Sequence, residues 1–394
     1  MTTPTPPPEI NTLAATLASE GPAAALDQLI ATAHSRGEPR TLLEALLLKA
    51  RYELGLPLVA PGPLATLPEP ARTHYEDRYI DALRRVGRML LDRGEIVAAW
   101  PYYRTIGEPQ PVAEALEAVQ LEPGDERLAP LLDVALYGGA HPLRGHRWVL
   151  EHHGTCAAIT AFEHLPADPA IRGPAAAALI AAVHRQLADN LRAELARSGQ
   201  VRPDPELPIP ALIAGRDFLF DDDAYHIDIS HLAAVVRLAP LVEDRAILLK
   251  ALELCEYGRR LSPRLRYDDP PPFEKTYEDH AVYLSALLGR EVESALAHFR
   301  AKLSPAGDDP ETNAAVAQVL VRLLVRLGRL DEAIELADAH LAAWPENMPG
   351  VPGLAELCRR AGQFDRLADS AARRGDLAGF LAARLAASGS GPTA

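Results

Sequence analysis

Histidines are concentrated in the middle of this chain, and imidazole serves in both metal binding and proton transfer. The chain has 13 histidines, nine of them between positions 141 and 280. The sharpest group is the run from Tyr225 to His231, which reads YHIDISH. If residues 225–229 are extended, His226 and Asp228 point to the same side. Ser230 is a good N-cap for a following helix, which would carry His231 in its first turn.

Imidazole and carboxylate are the usual protein ligands of zinc and non-haem iron, so this run predicts part of a divalent transition-metal site. Further histidines lie on apolar helical faces, and each buried imidazole needs a polar partner. A single metal ion would satisfy several of them together. The predicted ligands are His153, His184, His226, Asp228, His231 and His280. Two nearby hydroxyls, those of Tyr225 and Tyr277, are predicted to donate hydrogen bonds to a substrate.

Simpler structural roles are open for the same residues. Asp228 could cap a helix or orient a histidine, with His226 solvated, and each inward histidine could be a satisfied core residue. His153 and Cys156 could form a nucleophile pair only if they face each other. The run Asp221–Asp223 lacks the spacing of a calcium loop and is typical of a solvated turn.

The elements that would position these residues are clearest near the C-terminus, where residues 326–347 read RLGRLDEAIELADAHLAAWPEN. Gly328 lets the chain reverse between two helices, Ala333 lets their backbones approach, and Pro345 stops the second helix. With the preceding helix at about 312–327, this segment resembles a tetratricopeptide (TPR) repeat. Val321 and His340 depart from the small residues usual in that family.

The same turn spacing recurs more loosely elsewhere. Gly94 follows a predicted helix at 72–93, and Gly362 follows one at 353–361. The resemblance implies an all-α fold, a right-handed α-solenoid of TPR-like helical hairpins with an irregular insertion in the middle. Its predicted parts are a disordered tail at 1–8, N-terminal helical repeats at 9–140, a His-rich central region at 141–300 with a loop insertion at 201–230, C-terminal TPR-like repeats at 301–388, and a disordered tail at 389–394.

Charge and composition narrow the classes of partner. The formal net charge of −14 argues against nucleic acid and against anionic lipid as a partner. Three widely spaced cysteines imply neither a disulfide framework nor a zinc knuckle. The first residues lack the pattern of a signal peptide, and no apolar run is long enough to span a membrane. A cytoplasmic protein is therefore expected.

The histidine pattern favours a metal-dependent enzyme, a hydrolase or an oxygenase with iron or zinc, acting on a small molecule or a peptide. The loop at 201–230 would gate its site. The repeat pattern favours the alternative of a non-catalytic scaffold that binds a protein partner on its concave face. A module that holds a small ligand without catalysis is a third hypothesis.

Overall fold

The computed structural model describes most of the chain. The described residues are 8–59, 62, 67–199, 204, 206–304, 310–342, 344 and 350–388. The two predicted tails therefore lie outside the described residues, except that Pro8 begins the first helix. The described residues form an all-α protein, as predicted. No strand occurs in these ranges, and their single isolated β-bridge pairs Asp268 with Lys275.

The chain divides into two compact units, residues 1–152 and 153–394. In the first unit, each helix packs on the next one along the chain from α1 to α6. The first seven helices are α1 Pro8–Ser19, α2 Pro22–Arg36, α3 Pro39–Glu53, α4 Ala71–Asp92, α5 Ile96–Thr105, α6 Gln110–Glu117 and α7 Leu128–Leu132. A π-helical turn follows α7 at Asp133–Tyr137.

The unit boundary falls within α8, Pro142–Phe162, beside a break at Gly154. Gly154 has φ 82° and ψ −178°, a backbone conformation that residues other than glycine rarely adopt. The helical path of the backbone is interrupted at this glycine. His153 and Cys156 on either side of it are both exposed.

The second unit begins with the last part of α8 and continues with the longest described helix, α9, which packs against α10, α11 and α12. Sequential pairs follow, of which α12–α13, α15–α16 and α18–α19 make extensive contacts. The helices are α9 Pro169–Arg197, α10 Ile209–Ile213, α11 Ile229–Leu238, α12 Arg245–Arg260, α13 Thr276–Leu287, α14 Val292–Arg300, α15 Pro310–Arg326, α16 Leu330–His340, α17 Leu354–Ala361, α18 Phe364–Arg374 and α19 Leu377–Ala387.

The α15–α16 pair has the hairpin geometry that the sequence predicts. Gly328 turns the chain with φ 75°. Ala333 and Ala337 of α16 are fully buried, as are Leu320 and Leu324 of α15, so the small side chains let the two helices approach closely. The proline predicted to close this hairpin, Pro345, lies outside the described residues.

None of the helices described combines the length and the apolar character that crossing a lipid bilayer requires.

Candidate functional site

The described part of the predicted loop at 201–230 folds into short helical pieces. These are α10, a 3₁₀ segment at Asp217–Asp223, and the cap of α11. The cap is Asp228, whose Oδ1 accepts hydrogen bonds from the backbone N–H groups of Ser230 at 2.8 Å and His231 at 3.3 Å. The prediction that Ser230 is the N-cap is wrong, because the N-cap is Asp228 and the helix begins at Ile229, two residues earlier than a Ser230 cap requires. The alternative role for Asp228, helix capping, is the one observed.

An open groove of about 520 Å³ lies between α9 and this folded segment. One wall is a polar stripe of α9, and the other is formed by aromatic and acidic residues of 218–228. The lining residues are Gln186, Asn190, Ala193, Glu194, Arg197, Phe218, Leu219, Ala224, Tyr225, His226, Ile227 and Asp228. The groove therefore contains three of the predicted site residues.

The polar stripe follows from helical spacing, because positions four apart share one face of a helix. Gln186, Asn190 and Glu194 occupy such positions on α9. The side-chain amide of Asn190 donates to the carbonyl oxygen of His226 at 2.7 Å and so holds the opposite wall. The carboxylate of Glu194 pairs with Arg197 at 2.6 Å. This wall thus presents side-chain amides beside an ion pair.

His226 is fixed by a buried tyrosine of α12. The His226 backbone N–H donates to the hydroxyl oxygen of Tyr257 at 2.8 Å, and Nδ1 of its ring lies 3.1 Å from the same oxygen. The Tyr257 oxygen accepts the backbone N–H of His226, and the Tyr257 hydroxyl proton can therefore point at Nδ1. Nδ1 is then the acceptor, which assigns the ring proton of His226 to Nε2. Partial burial lowers the pKa of His226 below its usual range, so the neutral ring is favoured.

Aromatic residues form the outer rim of the groove. Phe218 is 40% exposed and Tyr225 is 56% exposed, although large apolar surfaces are usually covered. In the same segment, Phe220 packs against the ring of Tyr257 with the ring centres 5.4 Å apart, and the guanidinium of Arg260 lies over its face at 5.0 Å. Phe220 therefore anchors the segment, whereas the rings of Phe218 and Tyr225 remain open to solvent.

Acidic residues lie beside the aromatic rim. Asp222 and Asp223 both have left-handed backbone angles, with φ 53° and 59°, which are costly for residues with a Cβ. Asp223 lies 3.9 Å from Arg264, and Asp217 pairs with Arg260. Within the part of the chain that the structure describes, Asp221 and Asp222 make no ion pair. Their carboxylates add local negative charge to a chain that is already acidic.

The six predicted metal ligands do not come together. Nowhere in the described ranges do three or more His, Cys, Asp or Glu side chains form a group that could hold a metal ion. His153 is exposed in α8 and the His231 backbone bonds to the α11 cap. His184 bonds through Nε2 to Glu253 at 2.9 Å, and His280 bonds through Nδ1 to the carbonyl oxygen of Thr276 at 2.7 Å. The rings of His184 and His280 therefore have ordinary hydrogen-bond partners of their own.

The two tyrosines predicted to contact substrate lie in different surroundings. Tyr225 is exposed at the groove. Tyr277 is fully buried, its ring lies against Gly258, and its hydroxyl has no hydrogen-bond partner among the described residues. Burial also raises the pKa of Tyr277. Full burial separates the Tyr277 ring from solvent, so the arrangement does not support the predicted hydrogen bond from Tyr277 to a substrate.

A second polar cluster surrounds Asp279, and the sequence patterns do not predict it. Asp279 is almost fully buried and accepts hydrogen bonds from the backbone N–H of Lys275 at 2.9 Å, from Nε2 of His298 at 2.7 Å and from Lys302 at 2.9 Å. These contacts hold the pKa of Asp279 below its usual range despite its burial. The sequence signal was the spacing of His298 and Lys302, four residues apart on one face of α14 and its end.

Comparison with protein-family models, curated proteins and solved structures finds no match to this chain. The geometry of the described residues therefore carries the functional argument alone.

Proposed function

We propose that this chain is a non-catalytic helical-repeat scaffold that binds an extended segment of another polypeptide in the groove between α9 and residues 218–228. The C-terminal repeats predicted at 301–388 would be TPR-like hairpins of a right-handed α-solenoid. The observation that carries the proposal is the pair of exposed rings, Phe218 and Tyr225, at the rim of a polar groove whose histidine is already hydrogen-bonded to the protein.

A polypeptide segment suits the two walls. Side-chain amides offer one donor group and one acceptor group, as a peptide backbone does, and Gln186 and Asn190 present such amides four residues apart. The exposed rings can cover apolar side chains at low cost in conformational entropy. The carboxylates of Asp221 and Asp222, which make no ion pair among the described residues, favour a segment that carries a basic side chain near the rim.

Catalysis through a metal stays a prediction that the arrangement of side chains does not support. A metal-dependent hydrolase or oxygenase needs a ligand set with an open coordination position. The described residues contain no candidate set. His226, the predicted ligand that lines the groove, already uses Nδ1 in a contact with Tyr257.

Selection from a random peptide library displayed on phage tests the proposal. We expect the full chain to enrich extended peptides that combine an apolar residue with lysine or arginine. A synthetic, fluorescently labelled member should bind about tenfold or more weakly to the Phe218→Ala/Tyr225→Ala variant, because the two rings are the large apolar surfaces that the groove offers to a bound segment. The matched control is Tyr52→Ala in α3, since Tyr52 is 41% exposed outside this groove. No enriched peptide, or equal binding to the double variant, would overturn the proposal.

A further inference from the structure

Three of the four polar groups of His226 are held by the protein itself. Its backbone N–H and its ring Nδ1 both meet the hydroxyl of Tyr257 on α12, and its carbonyl oxygen accepts a hydrogen bond from the side-chain amide of Asn190 on α9 at 2.7 Å. Phe220 of the 3₁₀ segment lies edge-on to the imidazole, with the ring centres 6.4 Å apart. The imidazole is therefore fixed from three elements before any ligand binds.

The fourth polar group of His226, Nε2, lies on the open side of the ring. Within the described ranges it makes no hydrogen bond, and it is not one of their buried polar atoms that lack a partner. Nδ1 points toward the fully buried Tyr257, so the Nε2 edge lies away from the core, on the side where His226 lines the groove. Since the ring proton is on Nε2, the groove contains a fixed N–H donor.

The charges around this donor disfavour an anionic acceptor. Asp228 lines the groove with an exposed side chain, and Asp221 and Asp222 add negative charge beside the rim. The guanidinium of Arg197, which also lines the groove, is paired with Glu194 at 2.6 Å. Partial burial lowers the pKa of the imidazole, so the donor itself is neutral. A neutral acceptor such as a peptide carbonyl oxygen therefore fits this site better than a carboxylate or a phosphate.

We infer that the Nε2–H of His226 donates a hydrogen bond to one backbone carbonyl oxygen of the bound segment, with Tyr257 as the positioning residue that keeps the proton on Nε2. This inference rests on the proposed function, because it assigns a role within the same groove. A donor that is held in place before binding loses little conformational entropy when its bond forms. A single fixed donor meets one carbonyl of the segment, which sets the register in which the segment binds.

The position of the ring proton tests the inference without any ligand. Long-range ¹H–¹⁵N spectra of the full chain distinguish protonated from unprotonated ring nitrogens, and the signals of His226 are those that His226→Gln lacks. At neutral pH we expect a protonated Nε2 and an unprotonated Nδ1, with the Nδ1–H form detectable only in Tyr257→Phe, which lacks the hydroxyl. A proton on Nδ1 in the natural protein overturns the inference.

Binding of the labelled synthetic peptide tests the donor itself. His226→Phe keeps a ring and removes the N–H, whereas the side chain of His226→Gln can place an amide N–H close to the position of Nε2. We expect His226→Phe to weaken binding about tenfold and His226→Gln to weaken it by no more than about threefold. Unchanged binding to His226→Phe, or an equal loss in the two variants, contradicts the assignment. Circular dichroism shows whether each variant retains its helices.

A thioamide scan of the same peptide identifies the carbonyl that His226 meets. Sulfur accepts hydrogen bonds less well than oxygen, so sulfur at one backbone position should weaken binding to the natural protein and leave binding to His226→Phe unchanged. The absence of any such position overturns the inference while peptide binding in the groove stands. A library that yields no binding peptide instead removes the proposed function, and this inference with it.

Discussion

His280 illustrates how the contacts of a single residue decide its role in this protein. Its side chain is almost fully buried, its ring stacks on Phe273 with the ring centres 4.0 Å apart, and its Nδ1–H donates to the carbonyl oxygen of Thr276. Burial lowers the pKa of His280 to about 4, although Asp269 and Asp279 act in the opposite direction. The imidazole is therefore a neutral core residue whose charged form the fold disfavours.

The low pKa of His280 predicts that the protein loses stability in mild acid. The unfolded chain takes up this proton near pH 6.5, whereas the folded chain takes it up near pH 4. Stability from the neutral ring is thus complete above about pH 6.5 and falls as the pH drops toward 4. We expect His280 to reduce the free energy of unfolding by about 2 kcal/mol between pH 7 and pH 5. Denaturant unfolding at both pH values measures the change.

The His280→Gln variant removes this titration and should have a shallower dependence of stability on pH than the natural protein, whatever its stability at pH 7. His153→Gln is the control, because it makes the same substitution at an exposed position. An equal loss of stability between pH 7 and pH 5 in His280→Gln and the natural protein would refute the assignment.

Helical periodicity is enough to predict that single residues point inward, but not what they meet there. It correctly places His280 in the core, whereas His184, which it also predicts to point inward, is only partly buried. It does not predict the partner of His184, which is Glu253, 69 positions further along the chain. Pairing at that separation depends on how α9 and α12 pack, and no local pattern encodes it.

At the scale of the elements, local signals predict helix ends well. The helix expected at 312–327 is α15, Pro310–Arg326, and the one expected at 353–361 is α17, Leu354–Ala361. Glycines at the turns act locally, so their effect is visible in the sequence. The sequence predicts an irregular loop at 201–230, whereas its described part contains short helical pieces. Short helices in a proline-rich segment are stabilised by contacts with other elements, and the local sequence does not show those contacts.

Close packing of α12 against α13 depends on Gly258, and nothing in the sequence marks this glycine as different from the others. Gly258 lies within α12, and a Cβ at that position would come within 2.4 Å of the ring of Tyr277 on α13. Alanine favours helix over glycine by about 1 kcal/mol, so the sequence alone predicts that Gly258→Ala stabilises the protein. The contact predicts the opposite, a loss of about 2 kcal/mol of unfolding free energy, because both groups are fully buried.

A double-mutant cycle identifies the origin of this loss. Combining Gly258→Ala with Tyr277→Leu should cost less than the sum of the two single substitutions, since the smaller side chain leaves room for the new methyl group. Denaturant unfolding of the four proteins measures the coupling. Additive losses, or a more stable Gly258→Ala protein, would show that the α12–α13 contact is looser than described.

At the scale of the whole molecule, composition predicts the fold class and leaves the function open. The abundance of helix-forming residues and the spaced turn glycines suffice for an all-α chain of packed helix pairs. Nine histidines lie within one third of the sequence, but closeness along the chain does not make them close in space. The predicted ligands from that region lie on different elements, α8, α9, α11 and α13 among them, and each meets its own neighbours.

The metal content of the purified full chain decides between the scaffold and the metal-dependent enzyme. We expect substoichiometric zinc and iron, because His184 and His280 are bonded to Glu253 and Thr276 and cannot converge on Asp228 without breaking packed helices. We further expect added Zn²⁺ to leave the unfolding temperature unchanged, since a metal bound only by the folded state would raise it. The His226→Ala variant should lower that temperature equally with and without Zn²⁺, by loss of the Tyr257 contact. Stoichiometric metal that disappears in a folded His226→Ala/His231→Ala variant would instead establish the metal site and remove the basis for a purely non-catalytic scaffold.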